Sequence, residues 1–522
     1  MSRTVDGALP VGESPVPSPQ LAGWHADGRP RGRGAAQHPH LLGRRRSTDA
    51  VGVGDRPDAG YARSAAGVEW GAGMRAEVTA GPGGRDARGV VAEVGAGAVD
   101  PSALVAEATR RCADAVGDAV VSVLEDPDSG ASAGPLRGVG VGVKDLIAVA
   151  GVPTTLGLPA VAGPGPAPED AEVVRRLRAA GAAIPATLAL HPLAFGVTGR
   201  GVANPAAPDR LPGGSSSGSA CGVASGLVHA AVGTDTGGGV RIPAACCGVV
   251  GLKPSLGAVS TRGVQPLAWS LDTVGLLAGS TDDLALLWPF VAGHDPDDPS
   301  SEPAEVTADG PTPRRVGRPR NLIDLGVHPE VLAVFDGVTA QLADRGVAIV
   351  DVDLPSLGRA HRANGDVLCA EAAAVWGERF EQGPADFGDE IGRRLRYGLD
   401  LSGVALANAW RFGRVLRAEL RAARRDVDAL VLPTLPCRVP RLDEHVVDVG
   451  LDDPMPVTPA LTRFTNPWNL CGAPAGSVPG GHDSAGAPVG VQVVAGAGEE
   501  ARVLAGMRLI EELAPAIPAT RR

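Results

Sequence analysis

Apolar residues recur at helical and strand spacings over most of the chain. Residues 102–116 and 171–180 carry apolar side chains at helical intervals, and short apolar runs at 139–143 and 182–190 predict buried strands. This alternation of helices and strands predicts an α/β fold whose core is a parallel or mixed β-sheet covered by helices.

The pattern continues to the C-terminal end. The elements predicted there are a strand–helix pattern from Val316, a long Arg-rich helical region over 393–425, strands over 427–433, 465–478 and 489–494, and a closing helix over 499–513. We expect the arginines of the helical region to form an exposed face, or a site for an acidic partner or a substrate carboxylate.

The ends of the chain differ from its body. Residues 1–85 are rich in Gly, Pro, Ala and Arg without a sustained period, which predicts a disordered extension. Met74 is an alternative start of translation. The sequence predicts one domain over 86–515 with a Pro/Asp-rich surface insertion at 294–314, followed by a tail at 516–522.

Charge and composition exclude several classes of function. The net charge is −11, and the body of the chain has no long basic run, which argues against a nucleic-acid partner. No run of 18 apolar residues occurs and no signal-peptide core is present, so we expect a cytoplasmic protein without membrane contact. The seven cysteines include no CxxC pair and predict reduced, buried thiols. We expect no metal and no cofactor.

Lysine is nearly absent. Among 48 basic residues of the lysine and arginine types, only Lys144 and Lys253 are lysines. A neutral amine can act as a base, whereas guanidinium stays protonated in proteins. A lysine in such a chain is therefore a candidate for lysine-specific chemistry, and the alternative is retention by chance.

A Gly/Ser-rich segment carries the candidate chemistry. It contains Gly213-Gly214-Ser215-Ser216-Ser217-Gly218-Ser219 and Gly233-Thr234-Asp235-Thr236-Gly237-Gly238-Gly239-Val240-Arg241. Apolar residues flank it, so a flexible linker is a poor interpretation. It matches neither GxxxxGK[ST] nor GxGxxG, which argues against a phosphate-binding loop.

With its neighbours, this segment resembles the amidase signature family of serine hydrolases. The supporting motifs are Gly142-Val143-Lys144-Asp145, Asn204-Pro205, Gly251-Leu252-Lys253-Pro254, Pro433-Thr434 and Asn469-Leu470-Cys471-Gly472. They occur in the family's order over residues 86–515. The resemblance implies a mixed sheet with helices on both faces and hydrolysis of the C–N bond of a small carboxamide.

The resemblance also implies a role for each motif residue. Lys144 would be the base of a Lys-Ser-Ser triad, and Ser215 would relay a proton between it and the nucleophile. The backbone N–H groups of Thr236, Gly237, Gly238 and position 239 would form the oxyanion hole. Ser216, Asp235 and Arg241 would support the loop.

The family's nucleophilic serine corresponds to Gly239, which carries no hydroxyl group. An acyl-enzyme cannot form there. We expect an amidase with impaired or altered turnover, in which Lys144 and Ser215 activate a water in the space left by the side chain, or Ser215 attacks directly. One alternative is a non-catalytic protein on the same fold that binds an amide or a related acid or acts as a scaffold. Another is acyl transfer to a nucleophile brought by the substrate. A homodimer is the assembly to be tested.

Other polar residues have structural interpretations. We expect His191 to cap or pack against a helix, His229 to be a satisfied core residue and Lys253 to be structural. The aspartates within 295–298 suggest a metal site, but an Asp-Pro-Asp-Asp-Pro sequence is typical of a solvated turn.

Overall fold

In a computed structural model of the chain, the structure describes residues 81, 84–128, 134–163 and 165–513. The expectations for residues 1–80, with the alternative start at Met74, and for the tail at 516–522 lie outside these ranges. Among the described residues, no helix is both long and apolar enough to cross a bilayer.

Thirteen strands are found in the described part of the chain. They are β1 (Val120–Val123), β2 (Val141–Lys144), β3 (Ala186–Leu188), β4 (Ala230–Thr234), β5 (Val250–Lys253), β6 (Val274–Ala278), β7 (Arg315–Pro319), β8 (Ala348–Val352), β9 (Ala429–Pro433), β10 (Val446–Val447), β11 (Met455–Pro456), β12 (Ala475–His482) and β13 (Pro488–Val494).

Fourteen α-helices are found in the same part of the chain. They are α1 (Ala87–Gly95), α2 (Pro101–Asp114), α3 (Glu172–Ala179), α4 (Ser217–Ala224), α5 (Arg241–Cys247), α6 (Thr281–Val291), α7 (Leu322–Leu325), α8 (Pro329–Asp344), α9 (Leu357–Gln382), α10 (Gly388–Asp400), α11 (Gly403–Ala423), α12 (Val457–Thr462), α13 (Asn466–Leu470) and α14 (Glu500–Glu511).

Eleven strands form one mixed sheet in the order β1-β3-β2-β4-β6-β5-β12-β13-β9-β7-β8. β2 pairs in parallel with β3 and β4, and β7 pairs in parallel with β8 and β9, whereas the other neighbours are antiparallel. Every residue of β4, β6, β9 and β13 is buried. Because successive strand residues point to opposite faces, both faces of the sheet are covered there. The predicted α/β class is confirmed.

Three segments differ from the sequence prediction. The strand expected over 465–478 is helix α13 followed by β12, and the helical region expected over 393–425 is two helices, α10 and α11. Ser402 separates them, since its side chain accepts a hydrogen bond from the Ala405 N–H and caps α11. The sequence pattern does not predict helix α9, because its buried residues lie on several sides rather than along one stripe.

The segment at 294–314 contains no helix or strand. The expectation of a solvated turn is wrong for Asp295 and Asp298, which are buried. Their carboxylates accept hydrogen bonds from the Ser260 hydroxyl at 2.7 and 3.1 Å, and Asp295 also pairs with Arg262 at 2.9 Å. These contacts replace the hydration that an exposed turn would provide.

Candidate active site

Two parallel strands bring Lys144 to the site. Lys144 ends β2 and Thr234 ends β4, and the carboxyl ends of parallel neighbours meet at one edge of the sheet. The Lys144 ammonium is fully buried and donates hydrogen bonds to Ser215 Oγ and Thr234 Oγ1, both at 2.8 Å. Burial lowers the pKa of Lys144 to about 7, so this amine can release its proton near neutrality. The sequence did not single out Thr234.

Ser215 and Ser216 immediately precede helix α4. The Ser216 N–H donates to the Gly239 carbonyl oxygen at 3.1 Å, and the Ser216 hydroxyl accepts a hydrogen bond from the Thr234 N–H at 3.3 Å. These bonds fasten the start of α4 to the loop between β4 and α5. The structure therefore brings the lysine, the two serines and the glycine-rich loop together.

Asp235 and Arg241 form a fully buried ion pair at the base of that loop. Arg241 Nε and Nη2 donate to the two carboxylate oxygens of Asp235, both at 2.9 Å. The same carboxylate accepts the backbone N–H groups of Gly238 at 2.7 Å and Val240 at 3.2 Å. Burial alone would raise the pKa of Asp235, but the charge and hydrogen bonds of Arg241 hold it well below its usual range. The pair thus fixes the backbone from 235 to 241.

Residues distant in sequence complete the surroundings of Arg241. Its guanidinium donates to the Thr465 carbonyl oxygen at 3.0 Å, to Gln492 Oε1 at 3.3 Å and to Asn469 Oδ1 at 2.6 Å. Asn469 belongs to one of the family motifs, but the sequence analysis missed the role of Gln492. An amide side chain within the apolar strand β13 was the available signal, because such a group needs a partner when buried.

Four backbone N–H groups of the loop are predicted to form the oxyanion hole, and one of them already donates a hydrogen bond within the loop. The Gly238 N–H donates to Asp235, and φ of Gly238 is +130°, a conformation that favours glycine. In the described part of the chain, the N–H groups of Thr236, Gly237 and Gly239 have no hydrogen-bond partner. The Thr236 hydroxyl donates to Asp272 at 2.6 Å. Three N–H groups therefore remain able to bind an oxygen atom.

Gly239 faces the lysine-bound serine. A Cβ atom at this position would lie 2.7 Å from Ser215 Oγ and still closer to the Thr234 carbonyl oxygen. Both distances are below normal contact, so the surrounding atoms pack too closely on Gly239 to admit a Cβ atom without shifting. The expected space is therefore not open next to the Cα atom, and a water nucleophile would have to lie farther out.

Other candidates lie apart from these contacts. Lys253 is buried and donates to the Pro254 carbonyl oxygen at 2.8 Å, and burial together with the charge of Arg241 lowers its pKa to about 8. His229 Nδ1 accepts the Gly140 N–H at 3.0 Å, which confirms a satisfied core histidine. His191 Nε2 lies 3.6 Å from Glu390 Oε1. Within the described ranges, no cluster of three or more His, Cys, Asp or Glu side chains could hold a metal ion.

Comparison with known proteins identifies the family to which this chain is similar. The family model described as Amidase matches residues 102–504. The chain is 36% identical over 413 residues to the A subunit of the glutamyl-tRNA(Gln) amidotransferase of Halobacterium salinarum, covering 71% of this chain and 94% of that protein. It is 37% identical over 417 residues to the protein of the same name from Anaeromyxobacter sp. strain K, covering 73% of this chain and 83% of that protein.

Solved structures agree. A crystal structure of an amidase superposes with a TM-score of 0.73 at 33% identity, covering 82% of this chain and 99% of that one. A 6-aminohexanoate cyclic dimer hydrolase bound to its substrate superposes with a TM-score of 0.72 at 27% identity, covering 84% and 98%.

Proposed function

The chain belongs to the amidase signature family of hydrolases, and on this premise we propose that it binds a small carboxamide and hydrolyses its C–N bond only slowly. In this proposal a water attacks the carbonyl carbon, Ser215 relays its proton to Lys144 as the base, the free N–H groups of the loop hold the carbonyl oxygen, and the nitrogen leaves with a proton as ammonia or amine. Turnover is slow because Gly239, at the nucleophile position, has no hydroxyl group. Loss of the nucleophile in serine hydrolases costs about a millionfold in turnover.

The observation that carries the proposal is the hydrogen bond between Lys144 Nζ and Ser215 Oγ at 2.8 Å, directly beside Gly239. A buried amine with a pKa near 7 is matched to proton transfer at neutral pH. The bond leads from the base to a hydroxyl 2.7 Å from the point where a side chain at 239 would begin. This arrangement supports a site that keeps its base and its proton relay and lacks only the nucleophilic hydroxyl group at position 239.

The test compares Gly239→Ser with Gly239→Ala. Both variants add a Cβ atom against the Thr234 carbonyl oxygen, but only the first adds a nucleophile. We expect Gly239→Ser to release ammonia from primary carboxamides at least about a hundredfold faster than the parent, less than a complete recovery because the backbone must shift. Gly239→Ala should stay at the parent's rate. Lys144→Ala in the Gly239→Ser background should abolish the gain.

A fluorophosphonate probe followed by intact-mass measurement reports phosphonylation of a reactive serine independently of the substrate chosen. The substrate panel includes glutamine, because the relatives are named as components of an amidotransferase. A folded Gly239→Ser variant that neither turns over any amide nor takes up the probe contradicts the proposal. Stabilisation of the parent by an amide, without product from either variant, would indicate a binding protein. Hydroxamate formed by the parent in the presence of hydroxylamine would indicate acyl transfer.

A further inference from the structure

Two buried asparagines near the loop have side-chain atoms without a hydrogen-bond partner among the described residues. Asn364 lies in α9 with no exposed surface, and Asn466 is the first residue of α13 and is 6% exposed. Among the described residues, no partner is found for Oδ1 or Nδ2 of Asn364, or for Oδ1 of Asn466. Because a buried polar atom left unpaired costs about 1–3 kcal/mol, such a group is typically paired with a ligand or an ordered water.

The unpaired atoms lie against the glycine-rich loop. A Cβ atom at Gly237 would overlap Asn466 Oδ1 and lie 3.5 Å from Asn364 Nδ2, so the Asn466 oxygen packs directly against the glycine backbone. Gly237 is also one of the three residues whose backbone N–H is free among the described residues. The two side chains therefore adjoin the backbone that we propose holds the substrate carbonyl group.

The pair offers a defined set of hydrogen-bonding groups. Asn466 Nδ2 donates to the His361 carbonyl oxygen at 3.4 Å, which orients the amide and leaves Oδ1 as an acceptor. Asn364 has no partner within the described ranges to fix its amide, so it offers one NH2 donor and one oxygen acceptor in either orientation. Together the pair presents two acceptors and one donor group.

This set is complementary to a primary carboxamide. The NH2 group of such a ligand supplies two hydrogens for the two acceptors, and its carbonyl oxygen accepts from the donor. A carboxylate can only accept, so it would face both asparagine oxygens without a proton between them. An N,N-dimethyl amide has no hydrogen to give.

We infer that Asn364 and Asn466 form a specificity-determining subsite for the unsubstituted carboxamide group of the ligand. The inference rests on the proposed function, which it deepens by naming the amide class. Substrates with a free CONH2 group bind there, and the matching acids and dialkyl amides are rejected.

The experiment measures binding by titration calorimetry with the full chain and three ligands of one scaffold, benzamide, benzoate and N,N-dimethylbenzamide. We expect benzamide to bind most tightly. Asn364→Leu and Asn466→Leu should each weaken benzamide binding by about ten- to a hundredfold, the effect of leaving a buried hydrogen bond unmade. The near-isosteric Asn364→Asp, which loses the donor, should weaken it as well if the leucine variant does not fold.

Asn321→Leu is the matched control. Its Oδ1 is also buried without a partner among the described residues, but it precedes α7, which follows β7 near the sheet edge opposite β4. This variant should bind benzamide as the parent does. The same substitutions placed in the Gly239→Ser background should lower kcat/KM for benzamide by the same factors.

Two results overturn the inference. In the first, folded Asn364 and Asn466 variants keep the parent's affinity and kcat/KM for benzamide. In the second, benzoate binds at least as tightly as benzamide and loses its affinity in Arg463→Gln, since the Arg463 Nε is also buried without a partner in the described part of the chain and could bind a carboxylate. If the parent binds no amide and Gly239→Ser remains inert, the proposed function itself fails.

Discussion

At the scale of single residues, the protonation of Lys144 links the site to pH. Burial lowers its pKa from 10.5 to about 7 in the folded chain. Between these values the unfolded chain binds a proton that the folded chain does not, so this residue makes stability rise as pH increases from about 7 to about 10. Below pH 7 both states are protonated and the contribution is constant.

The prediction concerns Lys144→Met, which removes the titrating group. The parent should gain stability relative to this variant as pH rises from 7 to 10, by at most about 1.4 kcal/mol per pH unit. Urea unfolding at several pH values measures the difference. The control, Lys253→Met, should show the same sign over a narrower window, because its pKa is lowered only to about 8. A difference between parent and Lys144→Met that does not vary with pH would show that Lys144 is not perturbed.

Sequence could predict some residues of the candidate site but not others. Lys144, Ser215 and Gly239 stand in contiguous motifs, so local pattern was enough to select them. Asn364 and Asn466 are ordinary polar residues in the sequence. Their surroundings depend on how α9 and α13 pack against the loop, which no local pattern encodes.

At the scale of elements, two glycines in neighbouring helices have opposite surroundings. A Cβ atom at Gly398 in α10 would overlap the Cys369 carbonyl oxygen of α9, whereas at Gly365 in α9 it would meet open space. Gly398 therefore permits the close approach of the two helices. Gly365 has no such role and carries only the conformational cost of glycine in a helix.

We predict that Gly398→Ala destabilises the protein by about 1–3 kcal/mol, because α9 and α10 must separate. Gly365→Ala should stabilise it by about 0.5–1 kcal/mol. Urea unfolding of both variants provides the measurement, and each is the other's control. Equal effects of the two substitutions would contradict the close packing of α9 on α10.

Sequence predicts an element well when the pattern of its apolar residues matches the pattern of its burial in the fold. β13 and α14 each have a local pattern that matches their burial, and the sequence predicts them within a few residues. The five-residue helix α13 stands where the sequence predicts a strand, because a short apolar run has no period of its own. Its neighbours in the fold decide its conformation.

At the scale of the whole molecule, the C-terminal helix covers the middle of the sheet. Met507 in α14 is fully buried, and its sulfur atom occupies the space beside Gly476 of β12. β12 lies between β5 and β13, so it joins the two halves of the eleven-stranded sheet. A defect at this contact should therefore affect both halves.

We predict that Met507→Ala costs about 2–5 kcal/mol through the cavity it leaves. Its unfolding midpoint should fall by the same amount by tryptophan fluorescence and by circular dichroism, because the buried Trp288 and Trp468 report on side-chain packing and circular dichroism reports on the backbone. Glu512→Ala, at an exposed ion pair with Arg345, is the control and should cost under about 1 kcal/mol. A shift seen by one probe alone would show that the halves unfold independently.

The order of strands was beyond sequence analysis. β12 and β13 are consecutive in the chain but insert between β5 and β9, so β12 pairs with β5, from which the 221 residues 254–474 separate it. Pairing between strands so distant leaves no local signal, whereas the class of the fold follows from alternation alone.

The scarcity of lysine has a practical consequence for chemical labelling. Both lysines are buried without exposed surface, so the folded surface presents no ε-amino group to an acylating reagent. Succinimidyl esters, amine cross-linkers and lysine-directed acetyl or ubiquitin transfer would find only the α-amino group on the native chain. Acylation of an ε-amine would then itself report that the site around Lys144, or the core around Lys253, had opened.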